Sequence, residues 1–211
     1  MSRDWLLLET LGGEPVVVAD GARAQKLVPV STFLRRSPHL SAIQTAVAET
    51  VNTATSLVSI TPKGNRVIRT EPVRMTDGTV HGVHVWVGAA AAEPPARVMP
   101  GPLLWNLTTG IATDTPQSLR NSGLNPDTGV AANRAFTDDI TARNMSSRES
   151  EVLARAAEAE PGTTYCATWK VDDWRGEPIA VGFVTRVGLE PAGGGREHVI
   201  ARAMNWRSQS G

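Results

Sequence analysis

The side chains best suited to metal binding or catalysis are four histidines and a single cysteine. His81 and His84 lie three residues apart in a segment that reads as a β-strand, and such residues point to opposite faces. They cannot chelate one ion, so we expect a solvent-facing or locally hydrogen-bonded role for each. His39 and His198 have no acidic or histidine neighbour at ligand spacing. We therefore predict no metal site and no haem ligand.

Patterns typical of catalysis are weak elsewhere. Asp138 and Asp139 are adjacent, so their carboxylates diverge and suit a turn or a helix start better than paired acid–base chemistry. The run Gly193-Gly194-Gly195 lacks the Lys-Ser/Thr of a phosphate loop, and no Gly-x-Ser-x-Gly motif occurs. We predict a protein with no catalytic residues and no cofactor. Because a Ser-His-Asp triad is a spatial arrangement, an enzyme stays the third hypothesis.

Composition restricts the partners and the compartment. The chain has 211 residues, 41% of them hydrophobic, and its 21 basic residues cancel its 21 acidic ones. A nucleic-acid-binding module needs a clustered basic excess, so we expect no nucleic-acid partner. The single cysteine excludes an intrachain disulfide, and no apolar run reaches the roughly 18 residues that span a membrane. We expect a cytoplasmic protein without membrane insertion.

A proline-rich segment near the middle divides the chain. Ala89 to Pro102 contains four prolines, which disfavour helices and central strands. We predict an N-terminal domain over residues 1–90, a linker over 91–102 and a second domain over 103–211. Both domains share one plan, in which two strands, a helical crossover and a three-strand meander form an antiparallel sheet. The predicted strands are Trp5–Thr10, Glu14–Asp20, Leu57–Thr61, Arg66–Met75 and Val80–Val87, then Leu103–Leu107, Ile111–Asp114, Thr163–Val171, Pro178–Leu189 and His198–Asn205.

Local signals mark the helices and the turns. Ser37-Pro38 predicts a helix start, because serine caps and proline suits the first helical position. The run from Ser146 to Glu149 is a capping box that opens the helix of the second domain. Asp77-Gly78 predicts a hairpin turn, since both residues tolerate positive φ.

The strand order resembles that of PAS domains, to which GAF sensor domains are close relatives. Six segments carry a further resemblance: Asp4–Leu7, Leu34–Pro38, Val67–Pro72, Gly82–Trp86, Pro100–Leu103 and Arg202–Arg207. They resemble actinobacterial multi-sensor proteins, in which an N-terminal PAS-like domain is followed by GAF- or PAS-type modules. The resemblance implies an α+β fold of two tandem sensor domains, the second PAS-like or GAF-like, and a signalling role. Complete members carry a third domain, so we expect a truncated chain or a short paralogue.

Tryptophans occupy matched places in the two halves. Trp5 and Trp105 begin the first strands, and Trp86 and Trp206 end the last ones. In a PAS-like sheet the first and last strands are antiparallel neighbours, so we predict a cross-strand aromatic pair in each domain, worth up to about 1 kcal/mol.

The leading functional hypothesis is a non-enzymatic sensory protein that binds a small molecule or a partner and relays a signal. A further sensor or output domain, or a separate protein, would receive that signal. The alternative is a ligand-free protein–protein docking module. Any ligand should lie between the helical crossover and the sheet. The residues expected to line that space, which would equally build a solid core, are Phe33, Leu40, Ile43, Val47, Val83 and Val85, then Phe136, Ile140, Cys166, Val181 and Phe183.

Overall fold

The computed structural model describes residues 4–61, 64–125, 133–136 and 146–209. It divides into two compact units, Met1–Val98 with Gln209–Gly211, and Met99–Ser208. Among the described residues, each unit is built on one six-stranded antiparallel sheet. No helix in these ranges has the length and the apolar character needed to cross a membrane.

The sheet of the first unit has the strand order β3-β2-β1-β6-β5-β4. Helix α2 packs on one face of this sheet through Ile43, Ala46 and Val47, which recur at helical spacing and are buried. The opposing side chains include Leu8 of β1 and Val83 of β6. The elements are β1 Leu6–Glu9, β2 Val16–Asp20, β3 Arg23–Pro29, α1 Val30–Phe33, α2 Leu40–Thr53, β4 Leu57–Ile60, β5 Arg66–Arg74 and β6 Val80–Ala89.

The sheet of the second unit has the order β10-β11-β12-β7-β8-β9. Its core joins helix α4 to the sheet through Leu153 and Ala156 on the helix and through Trp105, Trp169 and Phe183 on the strands. The elements are β7 Gly101–Asn106, β8 Ile111–Asp114, α3 Pro116–Asn121, β9 Asn133–Ala135, α4 Ser147–Ala157, β10 Thr164–Asp172, β11 Pro178–Pro191 and β12 Glu197–Ser208.

The two sheets have the same topology, and both are richer in strands than the sequence predicts. Every predicted strand is present, but each sheet has a sixth strand at one edge. β3 was missed because Arg23–Pro29 carries polar side chains without apolar alternation, and β9 because its three residues are too few for a periodic signal. The predicted α+β pattern of five strands per domain is corrected to two six-stranded antiparallel sheets with few helices.

Of the local sequence signals, the capping box and the turn are confirmed, whereas the helix start predicted at Ser37-Pro38 is not. The capping box of α4 is confirmed, since Ser146 Oγ accepts from the backbone N–H of Glu149 and Ser146 N–H donates to the Glu149 carboxylate. The predicted turn at Asp77-Gly78 is also confirmed, with Gly78 at φ +90°. Helix α2, however, begins at Leu40. Ser37 Oγ accepts from the backbone N–H of His39, so the serine orders the turn before the helix. Within the predicted linker, residues 101 and 102 already belong to β7.

The tryptophan pairs lie on neighbouring strands, as predicted, because β1 pairs with β6 and β12 pairs with β7. The rings of Trp5 and Trp86 lie 6.3 Å apart. In the second unit the predicted aromatic pair does not form. Trp105 stacks on Phe183 at 5.4 Å on the helical face, whereas the Trp206 ring lies against Gly182. Phe183 of β11, two strands away from β7, therefore takes the place of Trp206 as the aromatic partner of Trp105.

Candidate functional site

A surface pocket of about 360 Å³ opens in the first unit, between helix α2 and the turn that joins β1 to β2. Typical small-molecule sites have volumes of roughly 300–1,000 Å³, so this one would hold a small ligand. The lining residues are Thr10, Gly12, Gly13, Glu14, Pro15, Val30, Gln44, Val47, Ala48, Val51 and Asn52.

The sequence of the β1–β2 turn leaves this space open. Gly12 and Gly13 carry no side chains, and a Cβ added at Gly13 would meet no atom within 4 Å. Across the pocket, Gln44, Ala48 and Asn52 follow one another at a spacing of four residues, so they form one stripe along α2. The small side chain of Ala48 at the middle of this stripe keeps the opening between helix and turn.

The floor of the pocket is apolar and belongs to the core of the first unit. Val30 and Val47 are buried, and Val51 is half-buried. All three pack in the cluster that joins α2 to the sheet. An apolar part of a ligand would therefore contact a surface held in place by the fold.

Thr10 and Glu14 add polar groups at the two ends of the turn. Thr10 Oγ1 is buried and has no hydrogen-bond partner, while its backbone N–H donates to His81 O at 3.2 Å. A buried polar atom left without a partner costs about 1–3 kcal/mol. Glu14 lies at the rim, where its Oε1 accepts a hydrogen bond of 2.5 Å from Ser31 Oγ. The unpaired Thr10 hydroxyl is thus enclosed by the protein, whereas Glu14 gives the rim an anchored negative charge.

The residues predicted to line a cavity in the first domain form a packed core. Ile43, Val47, Val83 and Val85 are buried, and Phe33 and Leu40 pack against them. Val47 is the predicted residue that also lines the pocket. Sequence reasoning missed Thr10, Glu14 and Gln44. The signal present was Gly12-Gly13 followed by Glu14-Pro15, which indicates a turn and says nothing of the helix opposite it.

The residues predicted to line a cavity in the second domain do not all lie on one face of its sheet. Val181 and Phe183 are buried in the core on the helical face, and Phe136 packs against that core. Cys166 pairs with Val184, one residue along from the Ala167–Phe183 pair, so it lies on the opposite face of the sheet. The placement of Cys166 in the lining is therefore corrected. Ile140, like Asp138 and Asp139, lies outside the described residues.

A buried polar network occupies the helical face of the second unit. Asn205 of β12 donates to Ser118 O and Ser122 Oγ at 2.9 and 3.0 Å, and Asn121 Nδ2 donates to Asn205 O. Next to it, Asp114 accepts from Ser118 Oγ and from Arg134 Nη2, at 2.9 and 2.8 Å. These contacts join α3 to the sheet, so we interpret the network as structural.

Glu149 borders this polar network, where Ser122 Oγ donates to its carboxylate at 3.3 Å. Burial raises the pKa of the Glu149 carboxyl, and hydrogen bonds from Ser146 and Ser122 oppose that shift. The raised pKa favours the protonated carboxyl more than in an exposed glutamate. Since Glu149 also closes the capping box of α4, its place in the fold is explained by the helix start.

A second cluster lies on the face of the first sheet away from α2. Trp5 contacts His84 at 5.9 Å and Trp86 at 6.3 Å between ring centroids. Trp5 Nε1 donates to Pro95 O at 2.9 Å, and the Arg97 guanidinium lies 5.3 Å above the Trp5 ring. Trp5 thus holds the segment Ala89–Val98, which we call the strap, next to the start of β1. Ion pairs of Glu93 with Arg69 and of Arg97 with Glu71 join the same segment to β5.

His84 lies buried within this cluster, with 2% of its surface exposed and no partner for Nδ1. His81 is also fully buried, so of the two roles expected for these histidines, solvent-facing or locally hydrogen-bonded, the solvent-facing one is wrong for both. Burial, and to a lesser extent the charge of Arg97, lower the pKa of His84 to about 3. Among the described residues, no group of three or more histidine, cysteine or acidic side chains is placed to hold a metal ion.

Two family models match this chain in tandem. The N-terminal domain of Rv3651-like proteins matches residues 4–96, and the middle domain of the same proteins matches residues 99–208. The chain belongs to the Rv3651-like family. The two matched ranges follow the division into compact units.

Among solved structures, an uncharacterized protein from Mycobacterium tuberculosis is 58% identical, with a TM-score of 0.92. The match covers 100% of this chain and 65% of the relative, so the chain spans about two thirds of the solved chain's length. The E. coli DhaR(N)-DhaL complex matches at 11% identity over 98% of this chain and 79% of that chain. Its TM-score of 0.29 is too low to carry an argument. No curated protein matches.

Proposed function

We propose that this chain is a non-enzymatic sensory or regulatory protein that binds a small molecule in the pocket of its first domain. The observation that carries the proposal is the pocket of about 360 Å³ between α2 and the β1–β2 turn, which combines an apolar floor with the polar side chains of Glu14, Gln44 and Asn52. A concave site with a few convergent polar groups is the usual form of a ligand site.

The finer proposal is that both domains are PAS-like or GAF-like. It is supported by the position of the first and last strands, β1 with β6 and β7 with β12, which are antiparallel neighbours at the centre of each sheet. A helix between the two groups of three strands, α2 in the first unit and α4 in the second, covers one face. This placement of the central strands and the helix agrees with the sequence resemblance, although each sheet has one strand more than the resemblance implies.

A route for relaying the bound state runs along β1. Thr10, which lines the pocket, directly follows the last residue of β1, and Trp5, which holds the strap, directly precedes its first residue. A ligand that joins α2 to the β1–β2 turn would restrict this short strand and thereby the contacts of Trp5 with Pro95 and Arg97. We propose that the strap changes its stability when the pocket is occupied, and that a protein partner or a further domain in the cytoplasm receives the signal.

The test fills the pocket without altering the core. Ala48 is exposed and lines the pocket, so Ala48→Trp should occupy it, and Thr45→Trp places the same ring on an exposed position of α2 outside the lining. We expect members of a metabolite library to raise the Tm of the wild type and of Thr45→Trp, but not of Ala48→Trp. Ligand at 100 times its Kd should stabilise by about 2.7 kcal/mol.

Native mass spectrometry of the same three proteins measures binding directly. A mass retained by the wild type and lost in Ala48→Trp supports the proposal. It is overturned when no library member shifts the wild type, or when Ala48→Trp responds as strongly as Thr45→Trp.

The docking module remains the second candidate, because β4 is an outermost strand whose Val58 and Ile60 are 67% and 68% exposed. Exposed apolar side chains on a sheet edge are typical of contact surfaces. A ligand screen without hits would favour this candidate over the sensor. Under it, Ala48→Trp would change no measured property beyond a small shift in stability.

A further inference from the structure

We propose that the pocket of the first domain selects small organic amines, with the cationic group at Glu14 and the apolar part on the valine floor. This inference rests on the proposed function and adds the chemical class of the ligand. It comes from the charge of the lining, the position of Glu14 at the rim and the apolar floor.

The pocket lining carries negative charge and no positive charge. Among the described residues that line the pocket, Glu14 is the one with a charged side chain, and none is Lys, Arg or His. The other polar contributors are the hydroxyl of Thr10 and the amides of Gln44 and Asn52, which are uncharged. A carboxylate ligand would meet Glu14 without a compensating cation, whereas an ammonium group would pair with it.

The Glu14 carboxylate is held in place before any ligand arrives. Ser31 Oγ donates to its Oε1 at 2.5 Å, which ties the rim to the start of helix α1. Fixing a charged side chain in advance lowers the entropy lost when it pairs with a ligand. Pro15, which follows Glu14 and also lines the pocket, restricts the backbone at this point.

The valine floor accepts the hydrocarbon part of such a ligand. Val30, Val47 and Val51 provide apolar surface below the rim, and burial of a ligand's CH₂ groups on that surface is favourable. The side-chain amides of Gln44 and Asn52 can hydrogen-bond a second polar atom of the ligand. The combination fits an amphipathic amine better than a polyanion or a sugar.

The expected preference is modest because Glu14 is exposed. Exposed ion pairs contribute about 0.2–1 kcal/mol, which corresponds to a preference of up to about fivefold in Kd. The preference should shrink as salt rises, since exposed charges are screened. The apolar contribution should not shrink with it.

Three matched probes test the selectivity: hexylamine, hexan-1-ol and hexanoate, which are cationic, neutral and anionic at neutral pH. The readout is the ¹H–¹⁵N NMR shift of the Gln44 and Asn52 side-chain amides and of the Thr10 backbone amide during titration. We expect Kd to increase in the order amine, alcohol, acid. In Glu14→Gln the amine and the alcohol should bind within about twofold of each other, while Glu49→Gln, an exposed acidic position of α2 outside the lining, should keep the preference.

The outcomes separate this inference from the proposed function. Shifts at the pocket that show no preference for the amine, or a preference that survives Glu14→Gln, overturn the amine selectivity while leaving ligand binding in place. An absence of shifts at the pocket for all three probes at millimolar concentration overturns both proposals.

Discussion

His84 should make the stability of the first unit depend on pH in the mildly acidic range. In the folded state its pKa is lowered from the usual 6.5 to about 3, chiefly by burial and secondarily by the charge of Arg97. Between these two values the unfolded chain binds a proton that the folded chain does not. The contribution of His84 is therefore fully present above pH 6.5 and is lost as the pH falls towards 3.

The magnitude follows from the two pKa values. At pH 5 the free unfolded imidazole is almost fully protonated, which lowers the free energy of unfolding by about 2 kcal/mol relative to pH 7.5. Extending the window to pH 3 would bring the loss to about 4 kcal/mol, but carboxyl groups in general titrate near that end. The range from pH 7.5 to 5 isolates the histidine better.

His84→Phe removes the titrating group and keeps an aromatic ring beside Trp5 and Trp86. We expect this variant to lose about 2 kcal/mol less than the wild type between pH 7.5 and 5. The assay is urea unfolding at both pH values, with native-state hydrogen exchange of β1 and β6 amides to follow the first unit alone.

Val67→Ala is the matched control, because Val67 packs in the same cluster and the variant retains His84. It should lower stability at both pH values and keep the wild-type difference between them. If His84→Phe and the wild type lose the same stability within about 0.5 kcal/mol, burial of a neutral His84 is refuted.

Two further predictions concern the second unit. A Cβ at Gly182 would lie 2.3 Å from the Trp206 ring, so Gly182→Ala should lower the free energy of unfolding in urea by about 1–3 kcal/mol. Gly188→Ala on the same strand is the control, because a Cβ there would meet no atom within 4 Å, and it should change that free energy by less than about 0.5 kcal/mol. Equal effects of the two substitutions would contradict the placement of the Trp206 ring. Asn205→Ala removes the donor to Ser118 O and should lower the free energy of unfolding by about 1–3 kcal/mol, measured as a lower Tm and as faster hydrogen exchange in α3. An unchanged exchange rate in α3 would show that this helix is held without the network.

The features predicted correctly depend on residues close in sequence. The capping box at Ser146 and Glu149 and the turn at Asp77-Gly78 are set by hydrogen bonds and φ preferences within four residues. The strands with alternating or continuous apolar residues were predicted for the same reason. Edge strand β3 was missed because half-exposed strands need no apolar alternation, and its partner β2 supplies the pairing.

The candidate site could be predicted only in part. The sequence placed a ligand between the helical crossover and the sheet, and Val47 does line the pocket. The other predicted residues of the first domain pack solidly instead, because apolar side chains at helical spacing close on the opposing strands. The pocket lies where α2 passes the glycine turn, and nothing local to Thr10 or Glu14 indicates that helix as a neighbour.

Backbone preferences and hydrophobic periodicity act over a few residues, so they predict the two-part plan, the positions of most strands, the turn at Asp77-Gly78 and the start of α4. Which face each side chain occupies, and what it contacts there, follows only from the folded chain. Cys166 lies away from the core because of the β10–β11 register. His84 is neutral at neutral pH because burial, and secondarily the charge of Arg97, lowers its pKa to about 3. Register, burial and pKa depend on residues distant in sequence, and only the folded chain brings those residues together.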